Sequence, residues 1–196
     1  MGIGSQGAIK IASGLTANNN IKILNLNYDN IDLNGITAIT NMLTKNTSIT
    51  ELHLEGNRVE VEGAIAIANM LMMNTTLHYL YLKQNKIGQE GAIAIVNALA
   101  TNQSLHTLCL CDTRVEQEGA IAIANALATN ESLHTLYLWN NKIDQNGADS
   151  IAKILESNQT LTNISLGLGN VNINKINSRN RKFCEKKFIA IKPAAK

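Results

Sequence analysis

One frame recurs every 28 residues along most of this chain, with no insertion or deletion between its copies. The copies begin at Ile21, Ile49, Leu77, Leu105, Leu133 and Leu161, and three of them read LHYLYLKQNKI, LHTLCLCDTRV and LHTLYLWNNKI. Such a repeat constrains the fold more than any composition does. A unit of this length is one supersecondary element, too small to bury its own apolar face, so neighbouring units must stack and share a core.

Each frame carries apolar residues at positions one, four and six, as in Leu133, Leu136 and Leu138, then Asn at position nine (Asn57, Asn85, Asn141) and Ile or Val at eleven. Alternation at four and six predicts a short strand with one buried face. The Asn is suited to bonding backbone groups of the turn that follows. Six residues beyond it stands Gly (Gly7, Gly35, Gly63, Gly91, Gly119, Gly147), opening segments such as GAIAIANAL whose Ala64, Ile67, Ala68 and Leu71 follow helical spacing. Every repeat therefore reads strand, turn, helix, loop. Helices take more room than strands, so the expected architecture is an α/β solenoid bent into a horseshoe arc, with parallel strands on the concave face and helices on the convex face.

These motifs resemble the ribonuclease-inhibitor-like class of leucine-rich repeats, also found in intracellular immune receptors and in some bacterial effectors. The resemblance covers residues 1–170 and implies fold more than partner. Asp29, Thr113 and Gly169 stand where the pattern has Asn, and Lys175 stands where it has Gly, so local irregularity is expected at each.

The predicted organisation is a solenoid over 1–170, starting in mid-repeat because no strand precedes Gly7, and a C-terminal basic cap over 171–196. Residues 179–196 hold seven Lys and Arg against one Glu, net +6, which leaves −4 for residues 1–178 of the total +2. Phe183, Lys187, Phe188 and Ile191 fit one side of a capping helix, and a short charge run is ordinarily a solvated face, so nucleic acid is not expected as a partner. No membrane span or secretory signal is expected. The odd cysteine count (Cys109, Cys111 and Cys184) argues for a reducing, cytoplasmic setting. Cys109 and Cys111, two apart on one strand, are expected as free thiols. Six Asn-x-Ser/Thr triplets occur, and those at Asn46, Asn74, Asn102, Asn130 and Asn158 share the repeat period, so they read as repeat consensus and not as sugar acceptors.

Positions three, five and seven should point onto the concave surface, with two and eight beside them. All four tyrosines and the only tryptophan fall on this set. Tyr and Trp dominate interface hot spots, while the plainer reading is that aromatics favour strands. The candidate partner-binding residues are Tyr28, Glu51, His53, Glu55, Tyr79, Tyr81, Lys83, Cys109, Cys111, Tyr137 and Trp139. Position two carries His78, His106 and His134 in consecutive repeats; a zinc site would need them to converge with cysteines at a different level, so loop hydrogen bonds are the preferred reading and no metal or cofactor is expected. Ile9, Ile65, Ile93 and Ile121 mark a competing convex stripe. That stripe, or a solenoid end, offers a route to self-association.

The function expected is noncatalytic binding of a partner protein on the concave face, and the alternative is inhibition of an enzyme through the same face. An enzyme would need Cys109 or Cys111 beside a His, with none of the usual phosphate-loop or paired-carboxylate motifs in support. The 27 Asn and 24 Ile against four Arg and one Pro fit an AT-rich genome. In a bacterial setting the chain would resemble effectors delivered into host cytoplasm.

Overall fold

The structure is a computed structural model in which residues 2–167 are described; Gly169, Lys175, Cys184 and the basic segment 171–196 fall outside them. Six helices alternate with six strands: α1 (Gly4–Leu15), β1 (Ile23–Asn25), α2 (Leu33–Leu43), β2 (Glu51–His53), α3 (Val61–Met73), β3 (Tyr79–Tyr81), α4 (Gly88–Ala98), β4 (Thr107–Cys109), α5 (Gln117–Leu127), β5 (Thr135–Tyr137), α6 (Gln145–Ile154) and β6 (Asn163–Ser165). The strands form one parallel sheet in chain order. Their register is the sequence period: Leu24 faces Leu52, Leu52 faces Leu80, and so on to Leu136 facing Ile164.

Sheet and helices close on a single core of in-register aliphatic rows. Leu77, Leu80, Leu82, Ile87, Ile95 and Leu99 from one repeat are all at most 2% exposed, and each neighbouring repeat supplies the equivalent set. Fully burying one such side chain is worth about 1.5–3 kcal/mol, so most of the stability resides in contacts between repeats. Adjacent helices must approach closely for these rows to meet. A Cβ at Gly91 would come within 2.8 Å of the Ala64 Cβ of the preceding helix and 2.9 Å of the Ile87 side chain, and the Ile or Val at position eleven likewise crowds Gly35, Gly63, Gly119 and Gly147, which accounts for the repeated glycine.

Two asparagine ladders fasten the corners of every coil. At the strand exit, Asn85 accepts from Val59 N–H at 3.0 Å and donates through Nδ2 to the carbonyls of Leu54 and Leu82, both at 2.9 Å. Asn57 and Asn141 bond in the same way. At the strand entrance, Asn102 donates to Leu71 and Asn74 carbonyls and accepts from the N–H groups of Ser104 and Leu105. Asn46, Asn74, Asn102 and Asn130 are 1–5% exposed, so the triplets that imitate glycosylation signals are internal tethers.

The two irregular sites within the described residues behave alike. Where Asp29 and Thr113 replace Asn, the residues on both sides are left-handed: Tyr28 and Asn30 at φ 57° and 58°, Asp112 and Arg114 at φ 55° and 64°. In the preceding repeats Gly4 and Gly88 adopt φ 63° and 69° and donate to the Asp29 and Thr113 carbonyls, both at 2.9 Å. Glycine is the residue that enters this region without penalty, so the missing Asn in one repeat is matched by a Gly in the one before.

Candidate partner-binding face

The concave face is built by strands only three residues long, and on each of them the middle residue is buried while the outer two point away from the core. β2, β3 and β5 thereby present Glu51, His53, Tyr79, Tyr81 and Tyr137, with Glu55, Lys83 and Trp139 following directly at position seven. Tyr79 is exposed and the other seven are half-buried. Their side chains are organised by contacts between repeats. Glu51 Oε1 lies 2.8 Å from His53 Nε2, and the His53 ring stacks on Tyr81 with centroids 4.5 Å apart and planes 13° from parallel. Burial, followed by the nearby Glu51 carboxylate, pushes the Tyr81 phenol above its ordinary range, so it is a neutral donor at physiological pH. Asn27 Nδ2 donates to Glu55 Oε2 at 3.0 Å, and Asn163 Nδ2 reaches the Tyr137 hydroxyl at 3.4 Å.

Two contacts skip a repeat. The Tyr28 hydroxyl donates to Gln84 Oε1 at 2.9 Å, its ring lying across Gly56, where an added Cβ would collide with it. Lys83 Nζ sits 4.7 Å from the Trp139 ring centroid, passing over Cys111 of the intervening repeat. Strands two apart are separated by about 9.6 Å, so each bridge needs a long side chain and a small residue beneath it. The charged head over an aromatic face contributes roughly 0.5–1 kcal/mol at an exposed site.

The cysteines depart from expectation. Cys109 is 6% exposed and Cys111 is fully buried, so neither forms part of the outward surface. Cys109 lies in register between Tyr81 and Tyr137, and Cys111 lies beneath the Lys83–Trp139 bridge, so larger neighbours close over both short side chains. Both are free thiols, their sulfurs 3.4 Å apart. The Cys111 S–H, with help from Lys83, draws the Cys109 thiol below its ordinary range; the same contact and burial push Cys111 far up. Tyr81 stands between His53 and Cys109 in the register, so this histidine is not placed on the thiol as a base.

A family profile described as Leucine Rich repeat matches residues 45–68 and 74–96. The fold is shared with solved structures: the leiomodin-1 domain titled Actin-Binding Site 2 superposes with a TM-score of 0.65 at 24% identity, over 77% of this chain and 87% of that one. The chain folds as a leucine-rich-repeat solenoid. The C-terminal domain of Caenorhabditis elegans tropomodulin gives the same TM-score at 14% identity, over 79% of this chain and 92% of its own. A search of curated proteins finds no match.

On this leucine-rich-repeat face the histidine row lies at the strand entrance. His78 Nδ1 donates to the Ser104 carbonyl at 3.0 Å and His134 Nδ1 to the Ser132 carbonyl at 2.6 Å, loop bonds of the kind the repeat pattern called for. His106 stacks on His78 at 4.7 Å and meets His134 edge-on at 5.3 Å, while Tyr79 packs edge-on against His78 and His106. Desolvation first, then the two flanking imidazoles, hold the His106 pKa below its ordinary value. On the convex side of the solenoid Ile65 is 44% exposed, whereas Ile9, Ile93 and Ile121 are half-buried between neighbouring helices. Among the described residues no helix is long and apolar enough to cross a membrane. The repeat-skipping bridges were missed by strand-by-strand reading. Their signal is a long residue, a small one and a long one at the same position of successive frames.

Proposed function

We propose that this leucine-rich-repeat solenoid, of the ribonuclease-inhibitor-like class, is a noncatalytic interaction module that binds a partner protein on its concave face. The observation that carries this reading is the continuous set of Glu51, His53, Tyr79, Tyr81, Lys83, Tyr137 and Trp139 across neighbouring strands. Large rings and charged groups are fixed there by contacts with one another. Rings already held in place lose little further freedom on binding, which is the economy that makes Tyr and Trp effective interface residues. Tyr28 and Glu55 extend the surface toward the strand exits. The buried Cys109 and Cys111 act through the shape of the face and do not touch the partner. Two neighbouring free thiols support a reducing compartment as the place of action.

The test compares wild type with a Tyr81→Ala, Tyr137→Ala, Trp139→Ala triple variant, after circular dichroism has established equal helicity. Pull-down from a eukaryotic lysate supplies candidate partners. Purified actin is included as a separate arm because the structurally similar leiomodin-1 domain is titled an actin-binding site. Loss of three hot-spot aromatics should weaken a concave-face complex on the order of 100-fold or more. Equal capture of a partner by both proteins would sink the concave assignment and point to the convex Ile65 surface.

A further inference from the structure

The fourth repeat departs from the repeats on either side at three alternate positions, where Cys109, Cys111 and Thr113 stand in place of Tyr, of Lys or Trp, and of the turn asparagine. The outcome is two thiols in contact at the centre of the concave face, Sγ to Sγ 3.4 Å. On a straight strand, residues two apart lie near the upper limit of Cα separation for a disulfide, close to 7 Å. β4, however, ends at Cys109, and Cys111 already belongs to a turn whose Asp112 and Arg114 are left-handed at φ 55° and 64°.

That turn lacks its own asparagine and is closed instead by Asn141 of the following repeat, which accepts from the N–H groups of Thr113 and Val115. Thr113 gives one side-chain hydrogen bond, Oγ1 to the Leu110 carbonyl at 2.7 Å, whereas Asn85 makes four in the equivalent place. Closing the sulfurs to bonding distance requires a further approach of about 1.3 Å. Cys111 is fully buried, and the long side chains of the adjacent frames, Lys83 and Trp139, meet at 4.7 Å across its position. Cys109 keeps slight exposure, and it is the thiol drawn toward its thiolate by the Cys111 S–H.

We infer that Cys109 and Cys111 form a redox-active dithiol, a modification site that closes to an intrastrand disulfide on reaction with a hydroperoxide. Cys109 Sγ attacks the peroxide, the O–O bond breaks, and with hydrogen peroxide the leaving hydroxide takes up the thiol proton as water. Cys111 Sγ then attacks the resulting sulfenic acid. The S–S bond forms, the S–O bond breaks, and the hydroxide departs with the Cys111 proton as a second water. Two thiols are oxidised by two electrons and one peroxide is reduced. A disulfide formed under such geometric constraint is readily reduced again, as regulatory disulfides are.

The experiment treats the folded full-length chain with hydrogen peroxide, in wild type and in a Cys184→Ser background, then blocks thiols with N-ethylmaleimide and maps peptides by mass spectrometry. The expected result is a peptide spanning residues 109–111 that has lost two hydrogens and carries no maleimide, restored to two free thiols by dithiothreitol. Trp139, the only tryptophan, should change its fluorescence in step with the mass change and recover with it. In Cys111→Ser the closure should be lost and Cys109 should be trapped by dimedone as its sulfenic acid. Any of three results would overturn the inference: full maleimide labelling at both sites under peroxide that oxidises the urea-unfolded chain, sulfinic acid at Cys109 beside a free Cys111, or oxidation confined to pairs with Cys184.

Discussion

The third and fourth repeats share a period, a register and a core, yet they end their strands differently. In the third, Asn85 ties the turn to the carbonyls of Leu54, Leu82 and Lys83 and to the N–H of Val59. In the fourth, Thr113 reaches only Leu110 through its side chain, and its own N–H is bonded by Asn141 of the following repeat. The aliphatic rows are unaffected, since Leu82 and Leu110 are equally buried. Packing between repeats thus fixes the arc, while the turn asparagine sets how firmly each coil is closed. One repeat dispenses with its own turn asparagine without losing the register of the stack, and it is the one that holds the cysteines.

The largest expected effect tests that contrast directly. Asn85→Ala strands the Val59 N–H and the Leu82 carbonyl, buried groups whose desolvation costs about 1–3 kcal/mol each, so a loss of about 3 kcal/mol is expected. Thr113→Val keeps the shape and removes a single bond to a carbonyl that Asn141 still satisfies, for a loss of about 1 kcal/mol or less. Urea titration followed by far-ultraviolet circular dichroism measures both midpoints. Equal losses would break the comparison. A fall in the slope for Asn85→Ala would mean that the solenoid parts at that coil instead of unfolding as one unit.

A second prediction concerns sign. Position ten holds Arg58 in a turn closed by Asn57 and Arg114 in the turn with Thr113, and only Arg114 is left-handed, at φ 64°. A non-glycine residue held there costs roughly 1–2 kcal/mol, more than the roughly 0.5–1 kcal/mol of chain entropy that glycine gives up. Arg114→Gly should therefore raise the urea midpoint slightly, and Arg58→Gly should lower it by about 0.5–1 kcal/mol. If both variants lose stability alike, the left-handed turn is not strained and the fourth repeat is as settled as its neighbours.

Most of this architecture was legible because a strict period turns one repeat's pattern into a register for all. The strands, the helices, the buried rows and the outward aromatics followed from Leu at one, four and six and from the helical run after Gly. The replacements at Asp29 and Thr113 correctly marked irregular coils, although the compensating Gly4 and Gly88 lie in the preceding frames and were not read as their partners. The burial of Cys109 and Cys111 was not legible from alternation. Their direction along the strand was right, but exposure depends on neighbours in the adjoining frames, here the lysine and tryptophan that meet above Cys111. Alternation reports which face a side chain leaves from; it says nothing of how tall the adjacent side chains are.

The smallest expected effect lies at the other end of the same fourth strand. His106 is the middle imidazole of a row, packed against His78 on one side and His134 on the other, and its pKa is lowered by desolvation and by those two neighbours. A histidine whose folded pKa is depressed binds fewer protons folded than unfolded in the window just below its unfolded value of about 6.5. Stability should therefore be indifferent to this group above that window and fall as pH drops through it. The exposure of the ring keeps the slope shallow. His106→Gln should flatten the decline in melting temperature between about pH 7 and pH 5 while leaving the value near pH 8 almost unchanged. His134→Gln, at the outer end of the row, should flatten it less. A decline identical in wild type and His106→Gln would assign acid sensitivity to other groups and leave the histidine row as a purely structural stack.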